Sequence, residues 1–397
     1  MQEKMTWRSP FPACTCPFTA IKFDLCPKPN LNSTPPLPLH LHSISLFQFK
    51  NYFQQDFVFT ERIVGICGRN GVGKTNLLDA IHYLCFTKSY FSRQDAMNIL
   101  QGHQGFRLEG KFSVNSREEK AVCVLRETGR KEFSVDGVLY ARFSKHLGRY
   151  PCVTIAPDDV QLIIGGSEER RKFMDTLLSQ LDADYLQALI NYTKILQQRN
   201  SLLRSFHEGF SRDLAVLDVL DEQLTLEGNA IFEKRREFLL KFLPLVKQLY
   251  NDICQRYENI TLVYESELHR LNMAELLQQN RQKDLVLGRS SGGIHRDDLV
   301  FSMGEQPFKG IASQGQRKSL LFALKLAEME ILKTEKRLSP LLLLDDVFEK
   351  LDAERITNLL MRVCADEDTQ IFITDTSCAR LQQQLEALGQ PAQMIEL

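Results

Sequence analysis

Gly68-Arg69-Asn70-Gly71-Val72-Gly73-Lys74-Thr75 fits the pattern G-x-x-x-x-G-K-[ST]. Its glycines let backbone N–H groups curl around phosphate oxygens, and a helix beginning near Lys74 would add its positive N-terminal end. Lys74 would reach the β- and γ-phosphates, and the Thr75 hydroxyl would ligate Mg²⁺. A site of this kind also needs a carboxylate on a neighbouring strand to hold the metal, directly or through water. The stretch PLLLLDDVFEKLD, Pro340 to Asp352, offers one. Leu341 to Leu344 is the continuous apolar run of a strand buried on both faces of a parallel sheet. Charges at the mouth of such a strand are costly to desolvate unless something compensates them. Asp345 is placed to be compensated by Mg²⁺. Asp346 suits a base or a positioner for the attacking water; a purely structural role is the competing reading.

Ser313-Gln314-Gly315-Gln316-Arg317 precedes a helix with apolar positions at Leu320, Leu321, Leu324, Ala327 and Ile331. A serine and a glycine at such a helix start form a second anion-binding end. The plain alternative is a well-capped helix. Beside a phosphate loop, the second end suggests service to another subunit's nucleotide.

The elements that must position these residues are legible in part. Residues 1–38 are too rich in proline for helix or central strand. They read as disordered, or as the product of a start codon placed too far upstream. Order begins at LHLHSISLFQFKNY. DFVFTERIVGIC reads as one further strand running into the phosphate loop, and NLLDAIHYL as the helix after it. FRLEGKFSV alternates like a half-buried strand, KAVCVLRE continues the pattern, and KEFSVDGVLY predicts a hairpin turning at Asp136-Gly137. From Ser167 the period becomes helical, with Phe173, Leu177, Leu178 and Leu181 on one face. Helical runs continue to about Tyr250, with Pro244 as a break or kink. NITLVYES, the leucine run and TQIFITD read as strands.

The 397 residues are 43% hydrophobic, enough for one large or several ordinary domains. A formal net charge of −1 gives no support to a globally basic nucleic-acid binder, although a local basic surface is compatible with it. No apolar run approaches the ~18 residues of a membrane span, and the N-terminus does not read as a secretory signal. The ten cysteines show no paired spacing. Those among apolar residues read as core side chains in a reducing cytosol, and Cys14, Cys16 and Cys26 lack histidines at finger spacing. A cytoplasmic location is expected.

The phosphate loop, S-x-G-Q at 313–316, LLLLDD and EKLD resemble the head of ABC-type ATPases, in which paired heads sandwich ATP. Within that class, FQFKNY, GRNGVGKTNLLDAI, APDDVQLIIGGSEERRKFMD, YTKILQQRNSLL, GIHRDD and ASQGQRKSLLFALKLAE resemble the RecF family, recombination mediators related to SMC-type ATPases. The resembling text runs from about Leu39 to near the C-terminus. It implies an α/β fold: an ABC-type P-loop ATPase head with an antiparallel β meander and a second, mainly helical lobe. No heptad is sustained over four repeats, which argues against a long coiled coil. The implied organisation is an extension over 1–38, head over 39–165, helical lobe over 166–290 and head again over 291–397.

By position, the resemblance implies that Gly68, Arg69, Asn70, Gly71, Val72, Gly73, Lys74 and Thr75 bind ATP, while Thr75 and Asp345 hold Mg²⁺. Ser313 and Gly315 would reach the γ-phosphate held by the opposite subunit. Asp346 falls where many ABC heads carry a catalytic glutamate, so Lys74 and Asp346 are the expected catalytic side chains. Asp352 falls in the segment that crosses the dimer seam. The family's pattern is not met everywhere. Thr374 and Asp375 stand where a switch histidine is usual, and Pro157-Asp158-Asp159 with Gln161 stands where a glutamine loop is expected.

The implied function is a weak ATPase that dimerises on ATP and clamps duplex DNA near single-strand gaps. Its partners would be RecR and RecO, loading recombinase, with no membrane. Three basic clusters are candidates for phosphate contacts: Arg170, Arg171 and Lys172; Lys194, Arg199 and Arg204; Lys234, Arg235 and Arg236. The competing readings are an ABC transporter ATPase subunit and a nucleotide-gated DNA scaffold with negligible turnover.

Overall fold

A computed structural model describes residues 36–209, 214–254, 258–346, 353–364 and 366–397, with the side chains of 353–358 excepted. Most of the N-terminal extension, residues 1–35, lies outside the described residues, as does Asp352.

Along the chain come β1 (Leu39–Phe49), β2 (Tyr52–Val58), β3 (Ile63–Cys67) and α1 (Lys74–Phe86), then β4 (Phe106–Val114) and β5 (Arg117–Leu125). Next are β6 (Lys131–Val135), β7 (Val138–Leu139), β8 (Cys152–Ile155), α2 (Gln161–Ile164) and α3 (Ser167–Leu181). The helices α4 (Ala183–His207) and α5 (Leu214–Cys254) lead to β9 (Ile260–Glu265), α6 (Met273–Leu287), β10 (Asp298–Met303) and β11 (Gln306–Pro307). The remainder is α7 (Phe308–Ile311), α8 (Gln314–Lys336), β12 (Leu341–Leu344), α9 (Ala353–Cys364), β13 (Ile371–Asp375), α10 (Cys378–Ala387) and β14 (Ala392–Glu396).

The leucine run forms the strand that its composition predicts. In the parallel sheet of order β14-β3-β13-β12-β8, β12 pairs with β13 on one side and β8 on the other. Successive side chains of a strand point to opposite faces. Leu341 and Leu343 therefore join Val64, Ile66 and Phe372 in a core against α1, while Leu342 and Leu344 join Ile63, Val153, Ile371 and Ile373 in a core against α8. Both faces are buried, so no alternation survives in the sequence.

The antiparallel meander is a sheet of order β2-β1-β4-β5-β6-β7. Asp136 and Gly137 both have positive φ, 51° and 79°, the backbone of the type I′ hairpin that their identities predict. DFVFTERIVGIC, read as one strand, is two. Its first part ends β2 in the antiparallel sheet, and its second part is β3 in the parallel one. Arg62, between them, fixes the crossing by donating to the carbonyls of Asp366, Thr369 and Cys364 at 2.9, 3.3 and 3.3 Å.

Helices α4 and α5 form an antiparallel hairpin. Asn191 donates to Glu227 at 2.8 Å and Arg199 to Asp221 at 2.6 Å, so residue numbers rise on one helix as they fall on the other. The 41-residue α5 continues through Pro244, and no break occurs there. A small sheet of order β11-β10-β9 follows the hairpin. Among the described residues no helix is long and apolar enough to cross a membrane.

Candidate functional site

The phosphate loop leaves the C-terminal end of β3, all of whose residues are buried, and enters α1. Gly68, Gly71 and Gly73 take φ of 148°, 85° and 120°, values open to glycine and strained for other residues. At Gly73 a Cβ would also stand 2.5 Å from Asn51 Nδ2 and 2.9 Å from Tyr52 Oη. At Gly71 a Cβ would meet nothing within 4 Å, so that limb of the loop borders open space. Lys74 Nζ donates to the carbonyls of Gly68 and Arg69 at 2.8 and 3.0 Å, and the loop curls around its own ammonium.

The β1–β2 turn braces this loop from outside. Asn51 Nδ2 donates to the Val72 carbonyl at 2.9 Å and accepts on Oδ1 from Asn76 at 2.7 Å; the Tyr52 hydroxyl donates to the Gly73 carbonyl at 3.0 Å. Lys50 pairs at 2.6 Å with the buried Asp79 of α1. Neither brace was expected from the residues alone. The available signal was a polar Lys-Asn-Tyr triplet between two strands, and an aspartate inside an otherwise apolar helix.

The sheet register brings the two halves of the site together. β12 lies one strand from β3, with β13 between them. The Thr75 hydroxyl stands 3.0 and 2.9 Å from the two oxygens of Asp345. Asp345 is buried, and burial raises its carboxyl above the ordinary aspartate range; the hydroxyls of Thr374 and Thr75 oppose that rise, and the Asp346 charge adds to it. Thr374 Oγ1 donates to Asp345 at 2.9 Å and accepts from the Asp346 N–H at 2.8 Å, so the residue standing in place of a switch histidine orients both aspartates. Asp346 itself is half-buried with φ of 48°, a left-handed conformation that aspartate tolerates better than most side chains. Asp375 is fully buried and accepts from Arg380 Nη2 at 2.5 Å.

Among the described residues no three His, Cys, Asp or Glu side chains cluster as metal ligands. Thr75 and Asp345 instead offer hard oxygens from two elements. That donor set suits Mg²⁺, which keeps waters and phosphate oxygens as its other ligands. The open glycine limb, the inward ammonium and this oxygen pair together fit a Mg²⁺–nucleoside triphosphate.

The serine–glycine helix start is built as a capping box. Ser313 Oγ accepts from the Gln316 N–H at 3.2 Å, and Gln316 Oε1 accepts from the Ser313 N–H at 2.8 Å. Ser313 is exposed and Gly315 half-buried, so this end of α8 faces outward. Among the described residues no hydrogen bond joins Ser313 to the phosphate loop; its partner is Gln316. Gln161 begins α2 with its side chain exposed, and Asp159 turns instead to accept from the Tyr90 hydroxyl.

The basic clusters divide sharply. Arg235 is buried and donates to Asp175 at 2.7 Å, Asp297 at 2.9 Å and the Ile294 carbonyl at 2.9 Å. Arg170 holds Asp298 at 2.6 Å, and Arg171 donates to the Asp297 carbonyl at 2.7 Å. Arg199 is fully buried between Asp221 and Asp284. These four arginines tie GIHRDD and the helical hairpin to the rest of the chain, and their role is structural. Lys234 and Arg236 pair with Asp182 and Glu233.

The RecF/RecN/SMC N terminal domain family matches residues 40–391. The chain belongs to the RecF family. It is 42% identical to the DNA replication and repair protein RecF of Flavobacterium johnsoniae over 359 residues, 90% of this chain and 100% of that one. With RecF of Bacteroides thetaiotaomicron it shares 40% over 350 residues, 88% and 94% of the two chains. Among solved structures, RecF-ATP in the RecFOR pathway superposes with a TM-score of 0.80 at 29% identity, covering 88% of this chain and 94% of the other. RecF-ATPrS gives 0.79 at the same identity, with 86% and 94% covered. An Smc head from Pyrococcus furiosus, 15% identical with a TM-score of 0.50, shares the fold. This RecF-family chain thus carries the SMC-like head with its antiparallel sheet and helical hairpin.

Proposed function

We propose that this RecF-family chain is an ATP-driven DNA clamp of recombinational repair and replication-fork maintenance. ATP would be held by Gly68 to Thr75, and bound Mg²⁺ would neutralise developing charge on the phosphates. Lys74 supplies a positive charge to the β- and γ-phosphates, Thr75 and Asp345 hold the metal, and Asp346 orients the attacking water. Each head offers an incomplete site, which Ser313 and Gly315 of a second copy finish. Closure of the pair would hold duplex DNA near a gap, and slow hydrolysis would release it. RecO and RecR are the expected partners in loading recombinase, in keeping with relatives solved in the RecFOR pathway.

The observation that carries this reading is the Thr75–Asp345 contact beneath a glycine loop whose open limb has room for phosphate. The direct experiment is binding to gapped and intact duplex DNA with ATP, with ADP and without nucleotide. The expected result is retention on gapped DNA with ATP alone. Equal retention in all three conditions would contradict the clamp.

A further inference from the structure

Strands β3, β12 and β13 of the parallel sheet end at one edge, and ligands of such sheets bind outside that carboxyl edge. β3 runs into the phosphate loop, β12 into Asp345 and Asp346, and β13 ends on Thr374 and Asp375. Asp375 is the register partner of Cys67, the residue before the loop, and its carbonyl accepts from the Gly68 N–H at 3.3 Å. The residue therefore adjoins the nucleotide loop, but a bare carboxylate there would repel a phosphate.

That carboxylate is fully buried and serves as a socket for a cation. Arg380, in the first turn of α10, donates to it from Nη2 at 2.5 Å and from Nε at 3.2 Å, and the Ser377 N–H donates at 2.9 Å. Two bonds along one edge of a planar guanidinium fix both its plane and its direction. The side chain is exposed, and its Nη1 corner has no hydrogen-bond partner among the described residues. The bonds to Asp375, opposed by burial and aided by the charges of Asp375 and Asp346, raise its proton affinity above the ordinary arginine value. The start of α10 does not depend on the guanidinium, because the Ser377 hydroxyl caps it by accepting from the Arg380 N–H at 3.3 Å.

We infer that Arg380 is a further nucleotide-contacting residue, whose free Nη1 end donates to the γ-phosphate of the ATP held by its own chain, and that Asp375 positions it. This rests on the ATP-binding part of the proposed function and deepens it. ADP lacks the group that Arg380 meets, so the arginine tells ATP from ADP. Thr374, one residue before Asp375, touches both Asp345 and Asp346, so the γ-phosphate contact and the two aspartates share one strand end.

The test is equilibrium binding of fluorescent ATP and ADP analogues with Mg²⁺ to the unmodified protein, Asp375→Asn and Asp375→Asn/Arg380→Gln. The double variant removes the cation without leaving a buried carboxylate unpaired, and its melting curve checks the fold. It should bind the ATP analogue about ten- to a hundredfold more weakly, the loss of one charge-assisted hydrogen bond, with ADP-analogue binding unchanged. Asp375→Asn alone keeps the guanidinium but loosens its socket, and should show a smaller loss confined to the ATP analogue. Equal weakening of both analogues by the double variant would make the pair a structural support of the loop and overturn the inference. So would unmodified affinity for both. Unmodified ATP affinity in Asp375→Asn would overturn the positioning role of the aspartate. Failure of the unmodified protein to bind ATP would overturn the underlying reading as well, whereas ATP binding without retention on gapped DNA would overturn the clamp and leave this assignment standing.

Discussion

Thr75 and Asp345 are 270 positions apart, yet the threonine hydroxyl stands 3.0 and 2.9 Å from the two carboxylate oxygens. Among the described residues its hydrogen-bonding side chains are the hydroxyls of Thr75 and Thr374; burial outweighs them and the nearby Lys74 charge, and raises its proton affinity. A carboxyl whose folded pKa is raised binds more protons folded than unfolded, so its contribution to stability falls as pH rises from the unfolded value of 3.8 through the raised folded value. At neutral pH the full penalty is present without metal. Asp345→Asn should therefore melt at the same temperature as the unmodified protein, or higher, in EDTA near pH 7. That advantage should vanish towards pH 4. Phosphate release with Mg²⁺–ATP should be lost by at least about 10²-fold, the scale for removing a preorganised electrostatic group. A calorimetric pH series and a phosphate-release assay read both halves.

Lys74 donates to two loop carbonyls that a bound phosphate would replace as its partner. Charge-assisted hydrogen bonds contribute about 1.5–3 kcal/mol each. Lys74→Met should weaken binding of a fluorescent ATP analogue by roughly ten- to a hundredfold, the equivalent of one such bond. Binding at unmodified affinity would remove the lysine from the site.

Asp346 holds a left-handed backbone, so the replacement must tolerate positive φ. Asparagine does, whereas a β-branched residue would add strain of about 1–3 kcal/mol. Asp346→Asn should bind ATP normally, fail to release phosphate, and accumulate as the closed dimer. Sedimentation velocity with ATP checks this, and a monomeric ATP-bound variant would sink the sandwich mechanism.

Arg235 stands between Lys234 and Arg236 in a basic run that suggests DNA contact, but it lies buried between Asp175 and Asp297. Removing one partner of a buried ion pair leaves the other charge uncompensated, at about 3–5 kcal/mol. Arg235→Leu should lower the urea midpoint by that equivalent. At a temperature where it remains folded, the salt dependence of DNA binding should be unchanged. A flattened salt slope would restore the arginine to the DNA surface.

Much of the site could be read before folding. The phosphate loop needs glycine and lysine at fixed spacing, and a strand buried on both faces needs an unbroken apolar run, so both leave local marks. Partnership does not. Arg170, Arg199 and Arg235 look the same in text as Lys172, because what separates them is an aspartate brought in from 128, 85 or 62 positions away. The split of DFVFTERIVGIC was hidden for a related reason. Both halves are apolar, and only the antiparallel partner of one and the parallel partner of the other tell them apart. Thr374 departs from the family's pattern in the sequence, but its bridge between Asp345 and Asp346 appears only when β13 lies beside β12.

Ser313 caps α8 within its own chain, and that observed role can be separated from the proposed one of completing a site in another. Ser313→Ala removes the capping oxygen and should cost about 1 kcal/mol, seen as a lower melting temperature without nucleotide. Ser313→Asp keeps an N-cap acceptor of equal preference, and its charge suits a helix N-terminus, so the free chain should be as stable as before. The added carboxylate would, however, face the γ-phosphate of the opposite subunit. Like charges brought that close in a partly desolvated seam repel strongly. Ser313→Asp should accordingly bind ATP as a monomer with unchanged affinity and fail to dimerise. Light scattering with and without ATP distinguishes the outcomes. Normal ATP-dependent dimers of Ser313→Asp would mean that the serine caps its helix and nothing more.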